Sequence, residues 1–307
     1  MSRRVVRLRR PATAPPPRMS PELLAELAHR LTDRDRHVLE LVWDHRVLTT
    51  HQLAAICFST PGKARHRLLE LFRMSALERV QPWTPVGTRP WHWVLGPAGA
   101  HVLAGQRGID VTELGYKRTA ALAVCHSRQL GHQIGVNEFF AQLHRHARTR
   151  NDGAAVKDWW PQRRCARLWG DLARPDAYGR WTEPSPEGGL VEVDFFLEYD
   201  TGTEPLPKVA EKLTDYTALA ESTGISTPVL FWLPSRARET NLRRLIRTSP
   251  VPAATAVHTG TQPDDGPAEQ VWLPLGTGDR RARLIELAEA LGHPTGDQPS
   301  PEQTSCR

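Results

Sequence analysis

Cysteine, lysine and long apolar runs are all scarce in this sequence, and each scarcity removes a class of protein. The four cysteines, Cys57, Cys125, Cys165 and Cys306, are scattered, with no Cys-x-x-Cys pair and no histidine spacing of a zinc site. A disulfide scaffold and a zinc finger are thereby excluded, and a reduced, cytoplasmic protein is expected. No stretch approaches the roughly 18 to 20 apolar residues that a membrane span needs, so no membrane partner is expected. The basic start, Met1 to Arg10, runs into Pro11-Ala12-Thr13-Ala14-Pro15 and not into an apolar segment, unlike a signal peptide. There is no G-x4-G-K-[ST] loop to cradle a triphosphate, and no tyrosine stands beside three clustered histidines, which disfavours relaxase-like transesterification.

What is present is basic charge and room for two cores. At 307 residues the chain is long enough for about two domains, and its net charge of +6 favours an anionic partner such as double-stranded DNA, with nucleoid or plasmid association to match. Only five of the 40 basic residues are lysines, so the position of each lysine carries more information than that of an arginine.

Composition and periodicity divide the chain into a disordered basic arm over 1–30, a helical module over 31–107, a linker over 108–118, an α/β module over 119–292 and a disordered tail over 293–307. In the first module Thr32 caps a helix over Leu31 to Arg46, with Asp33 and Asp35 in its first turn and Val38, Leu39, Leu41 and Val42 at helical spacing. Thr49 and Thr50 start a short helix, and Ser59-Thr60-Pro61 starts a third that runs to about Met74. Leu77 to Gln81 and Trp91 to Leu95, joined by a Pro- and Gly-bearing loop, read as a β-hairpin. Three short helices and a hairpin are the order of a winged helix-turn-helix. Such a fold places its third helix in the major groove and its hairpin along the backbone. Lys63, Arg65, His66, Arg67 and Arg73 on that helix, and Arg79 and Arg89 on the wing, are the expected DNA-binding residues, with Lys63 and Arg67 one turn apart on one face. Trp91 and Trp93 are expected to pack on the core.

From about Thr119 helices and strands alternate. Helix is expected over Ala120 to Arg150, strands over Val156 to Trp160, Ala173 to Trp181 and Leu190 to Tyr199, a helix over Pro207 to Glu221, a buried strand over Pro228 to Leu233, a helix over Ala237 to Thr248 and a strand over Ala254 to His258. An edge strand over Val271 to Leu275 and a last helix over Arg280 to Leu291 complete an α/β layering around one sheet. Alternation along the third strand turns Val193, Phe195, Leu197 and Tyr199 one way and Asp194, Phe196, Glu198 and Asp200 the other. Glu198 and Asp200, joined by Asp176 from a neighbouring strand, make an oxygen-rich pocket suited to Mg²⁺ or Mn²⁺. The following helix carries Lys208, Lys212 and Tyr216 at four-residue intervals, and a lysine there can orient a nucleophile or neutralise a developing phosphorane.

The run Asp176, Glu198-x-Asp200-x-Gly202-Thr203-Glu204 and Lys212-x3-Tyr216, with His132 to Glu138 upstream and Leu31-Thr32-x-Arg34-Asp35 at the start, resembles the actinobacterial replication-relaxation family of plasmids and integrative conjugative elements over about residues 31–260. That resemblance implies a PD-(D/E)xK restriction-endonuclease-like second domain. It also implies a metal-dependent DNA-nicking activity with Asp176 and Glu198 as motif acids, a contribution from Glu138 on the first helix, and replication or conjugation proteins or a second copy of the chain as partners. Asp200 departs from the pattern, because it occupies the position where the nuclease motif has lysine. Either the lysine function has moved to Lys212, or second to Lys208, or the domain is a non-catalytic DNA-binding regulator or replication accessory.

Overall fold

The computed structural model describes residues 20–84, 86–224, 226–246, 248–258, 266–276 and 280–291. The chain is a mixed α/β protein with two sheets. In the first module α1 (Pro21–Arg30), α2 (Asp33–Asp44), β1 (Leu48–Thr49), α3 (Thr50–Cys57) and α4 (Pro61–Arg73) precede the hairpin β2 (Leu77–Val80) and β3 (His92–Leu95), and α5 (Pro97–Gln106) follows. The three strands form an antiparallel sheet ordered β1-β3-β2. Capping boxes set the starts of α2 and α3: Thr32 and Asp35, and Thr49 and Gln52, exchange side-chain and backbone bonds across each first turn. Val38, Leu39, Leu53, Leu68, Leu71 and Trp93 close one core. Trp93 is fully buried as expected, and its indole N–H donates to Thr50 Oγ1 at 2.9 Å.

Two boundaries differ from those expected. Residues 21–30 are not part of an arm: they form α1, whose Leu27 is buried in the first core, while residues 1–19 and the expected tail lie outside the described residues. The stretch 108–118 is not a free linker either. Its apolar residues Ile109, Val111, Leu114 and Tyr116 recur closely enough to pack on that core, and the Tyr116 hydroxyl donates to the Leu95 carbonyl at 3.1 Å.

The second module opens with α6 (Arg118–Val124) and the long α7 (Leu130–Arg150), then β4 (Ala155–Pro161), α8 (Gln162–Trp169), β5 (Ala177–Pro184), β6 (Leu190–Tyr199), α9 (Leu206–Thr223), β7 (Val229–Leu233), α10 (Arg236–Leu245), β8 (Ala253–Val257) and β9 (Leu273–Pro274). Its six-stranded sheet runs β4-β5-β6-β7-β8-β9, antiparallel from β4 to β6, parallel from β6 to β8 and antiparallel at β9. The parallel pairs are joined by α9 and α10, which pack with α8 on one face over Trp169, Phe196, Leu213, Phe231 and Leu242. On the other face α7 lies over Phe195, Leu197, Trp232 and Trp272 through Phe139 and Phe140. The expected last helix over Arg280 to Leu291 shrinks to a 3₁₀ turn, Leu284–Glu286, and a short α11, Leu287–Ala290. Ala282 exchanges both backbone bonds with Trp272, which holds the chain before that turn extended. The helix α8 was not expected; it forms because Cys165 and Trp169, four residues apart, fill the core beneath β4 and β5.

The modules are joined by packing as well as by the chain. Asn137 of α7 donates to the Val47 carbonyl at 2.7 Å, Gln52 of α3 donates to the Ile134 carbonyl at 2.9 Å, and Arg148 binds the Phe58 carbonyl at 2.6 Å, satisfying the open C-terminal end of α3.

Candidate active site and candidate nucleic-acid face

Strand β6 obeys the alternation expected of it: Phe195, Leu197 and Tyr199 face α7, while Phe196 and Glu198 face α9. Glu198 stands near the carboxyl end of β6 with 3% of its surface exposed. Asp176, also buried, lies one residue before β5, where its backbone N–H donates to the Leu197 carbonyl at 3.1 Å. That pairing carries the two acids to one end of the sheet. Asp176 Oδ2 accepts from the Tyr199 backbone N–H at 2.9 Å, and Oδ1 lies 2.9 Å from His132 Nε2 in the first turn of α7. Glu198 Oε2 is 2.6 Å from Lys212 Nζ, and Oε1 accepts the Tyr216 hydroxyl proton. Lys212 and Tyr216, one turn apart on α9, thus grip the two oxygens of one carboxylate.

The electrostatics follow from this packing. Burial, and then the charge of Asp176, push Glu198 up to about 7 against the opposing pull of Lys212. Burial opposes the charged forms of His132 and Lys212, but their carboxylate neighbours outweigh it and raise both. Burial and Glu198 hold the Tyr216 phenol well above its ordinary value, so it stays a donor. Cys165 packs in the same core as Tyr216, and burial pushes it, like Cys57, up to about 12, which keeps both thiols neutral.

Gly135 lets α7 approach this closely. A Cβ there would fall 2.1 Å from Tyr199 Cζ, so any other residue would push the helix, and His132 with it, away from β6.

The remaining expected members sit elsewhere. Asp200 is bound by Arg238 of α10 and accepts from the Gly202 N–H at 2.7 Å, so it closes the turn after β6 instead of joining Glu198. Glu138 faces the first module: its carboxylate accepts from Gln52 Nε2 at 3.2 Å and lies 3.6 Å from Arg145. Lys208 is exposed, one turn before Lys212. Asp194 pairs with Arg180 directly across the β5–β6 ladder, at 2.7 Å. His132, which the sequence placed near the site without a role, is the member whose contact with Asp176 was not foreseen. Nothing in local spacing announces it, because its partner Asp176 is 44 residues away and is reached only through the sheet.

Oxygen donors of this kind suit a hard divalent ion, and Mg²⁺ is commonly held by one or two carboxylates with water and phosphate completing its shell. Asp176 and Glu198 fit that donor set, with two like charges side by side that a cation would relieve. Among the described residues no group of three or more His, Cys, Asp and Glu side chains is placed to hold a metal ion.

On the first module, α4 presents Lys63, Arg65, His66 and Arg73 to solvent, and Arg89 is exposed on the hairpin. Two of the expected cations are not available there. Arg67 forks onto Asp35 at 2.9 and 2.7 Å, meets Glu70 at 2.6 Å and reaches the Arg30 carbonyl, so its charge holds α4 to α2. Arg79 lies over the Trp91 ring, 4.0 Å from its centroid, and over Phe72 at 4.6 Å; burial lowers its pKa. Helical periodicity placed Lys63 and Arg67 on one face, but Asp35 captures Arg67. The hairpin tip adds exposed Trp83 and Val86.

A family model described as replication-relaxation matches residues 39–230, from within α2 to within β7. The match contains α4, both buried acids and Lys212, and ends before Arg238. No curated protein and no solved structure shows significant similarity to the chain.

Proposed function

Because the chain belongs to the replication-relaxation family, we propose that it serves the replication or transfer of a plasmid or integrative conjugative element as a DNA-processing factor. In this reading the first module is a winged helix: α3 and α4 are its helix-turn-helix, α4 enters the major groove, and the β2–β3 hairpin is the wing. Lys63, Arg65 and Arg73 meet phosphates and guanine edges, and Arg89 and the hairpin tip follow the backbone. The order α2-β1-α3-α4-β2-β3 and the solvent-facing cations of α4 support it.

The second module is read as a PD-(D/E)xK-like nuclease domain whose lysine comes from α9. One observation carries this: two buried acids from adjacent strands share a field with Lys212, which fills the role that Asp200 cannot. Asp176 and Glu198 would hold Mg²⁺ or Mn²⁺. When bound, that ion neutralises charge on a phosphodiester and acidifies a water. The Tyr199 N–H and His132 fix the plane of the Asp176 carboxylate, and Tyr216 fixes that of Glu198. Lys212, one-third exposed, can turn from Glu198 towards the phosphate or its attacking water. The test is nicking of supercoiled plasmid in Mn²⁺ or Mg²⁺, with D176A and E198A as controls. Nicking should vanish in both variants; equal nicking by them removes the assignment.

A second reading has its own support. Each acid already has an internal partner, His132 for Asp176 and Lys212 for Glu198, so both carboxylates are paired within the chain itself. It describes a non-catalytic DNA-binding regulator or replication accessory, whose duplex binding survives chelation and whose plasmid stays intact.

A further inference from the structure

An open cleft of about 410 Å³ lies where the two modules meet. Its lining includes Asp44, Arg46 and Arg163 as well as the apolar Ala123, Val124 and Leu130. Three elements of different sequence origin build it: the turn after α2, the α6–α7 corner, and the junction of β4 with α8.

Its charge is unbalanced. Arg163 donates to the Trp43 carbonyl at 2.9 Å and to Asp44 at 3.0 Å, and burial and the charges of Arg46 and Arg167 lower its pKa. Arg46 and Arg167 thus lie close enough to Arg163 to oppose its charge, and Asp44 is the acid that pairs with it. Arg46 is exposed, adopts a left-handed backbone at φ 65°, and makes no hydrogen bond or ion pair among the described residues. An uncommitted arginine lining a cleft with a second, positioned arginine suits a phosphate, because the planar guanidinium fork matches phosphate oxygens. The rest of the lining is of the opposite character. Ala123, Val124 and Leu130 are apolar, and Gln133 beside them spends its amide N–H on Asn137 at 3.1 Å, which leaves its carbonyl oxygen as an acceptor. A volume of this size falls in the usual range for small-molecule pockets, about 300 to 1,000 Å³.

We propose that this cleft binds a nucleoside phosphate, with the phosphate against Arg46 and Arg163 and the base along Ala123, Val124 and Leu130. The nucleotide is either free or the terminal residue of a DNA strand. The site is separate from both the α4 face and the two-acid site, and it stands or falls without them.

The experiment is calorimetric titration of the full chain with inorganic phosphate, with dTMP and with a 5′-phosphorylated ten-residue thymidine strand. Two variants accompany it: Arg46→Asn, which removes the charge but tolerates the left-handed backbone, and Ala123→Trp, which fills the apolar wall. The wild type should bind dTMP more tightly than phosphate, and each variant should weaken dTMP by about tenfold or more, as expected for a lost charge-assisted contact or a blocked wall. Unfolding midpoints should stay unchanged. Loss of the strand along with dTMP in both variants assigns the site to DNA ends; loss of dTMP alone assigns it to a free nucleotide. No dTMP binding by the wild type, or equal binding by both variants, overturns the proposal. Lys63→Ala with Arg65→Ala should weaken duplex DNA and leave dTMP untouched, so a failure of the α4 reading is seen separately.

Discussion

Glu183 and Glu198 are buried glutamates on the neighbouring strands β5 and β6, and they are held in opposite ways. Glu183 meets the guanidinium groups of Arg150 and Arg283 and accepts from the Trp181 indole at 2.9 Å. Two cations and a neutral donor surround one acid. Glu239 on α10 has one cation and one hydroxyl, Arg281 at 2.5 Å and Thr255 at 3.0 Å. Glu198 has one lysine and one phenol, and a second acid, Asp176, faces it across the end of the sheet. Burial of an ion is tolerated where partners outnumber it; a buried acid with a like-charged neighbour is an unrelieved cost. Folds retain such a cost at sites of function more often than in frameworks.

Four experiments press on that contrast. Glu183→Ala should have the largest effect, about 3 to 5 kcal/mol lost in urea unfolding, because two arginines lose their common acid; the folded variant should bind Mn²⁺ like the wild type. A loss below about 1 kcal/mol would erase the distinction drawn between the two glutamates. Glu198→Gln should reverse the pattern. Mn²⁺ binding measured by calorimetry should weaken by at least the roughly ten- to hundredfold that even outer partners of metal ligands cost, while stability at pH 8 holds or rises.

The third experiment carries the comparison to α4. Arg67→Ala should cost about 1 to 3 kcal/mol of stability, since it strands the buried Asp35 carboxylate. Lys63→Ala with Arg65→Ala should change stability by less than about 0.5 kcal/mol; the slope of log affinity for duplex DNA against log salt should flatten by about two. Parallel behaviour of Arg67 and Lys63 in both assays would contradict the division of that helix into a structural and a solvent face.

The fourth experiment is the pH dependence. Folding raises Glu198 from an ordinary 4.5 to about 7, so the folded chain holds its proton where the unfolded chain has lost it. Stability from this group is therefore retained below about pH 4.5 and falls as pH rises through about 7. Subtracting the Glu198→Gln curve from the wild type should isolate a decline confined to that window; a rise with pH there would show that Lys212 outweighs Asp176.

Much of the local structure was legible in the residues themselves. The Thr32 and Thr49 caps, Pro61 at the start of α4 and the alternation of β6 are short-range patterns, and each appears where the spacing placed it. The candidate site was legible in part: Asp176, Glu198 and Lys212 were identified by type and spacing, and they come together. His132 was not identified in a role, and Asp200 and Glu138 were assigned to a site that engages neither, because their partners Arg238 and Gln52 lie 38 and 86 residues away. The short helix α1 and the packed stretch 108–118 were read as unstructured, since composition reports polarity but not the apolar core waiting to receive a few residues.

By itself, the order of residues determined which segments become helix or strand and which way each side chain leaves its backbone, because backbone sterics and hydrogen bonding act over three or four positions. Only the tertiary structure decided which arginine neutralises which carboxylate, and so which charges remain free to meet an outside molecule. Ion pairing is blind to chain distance: Arg67 and Lys63 share a helix face and a sign, and a carboxylate 32 residues earlier separates their fates.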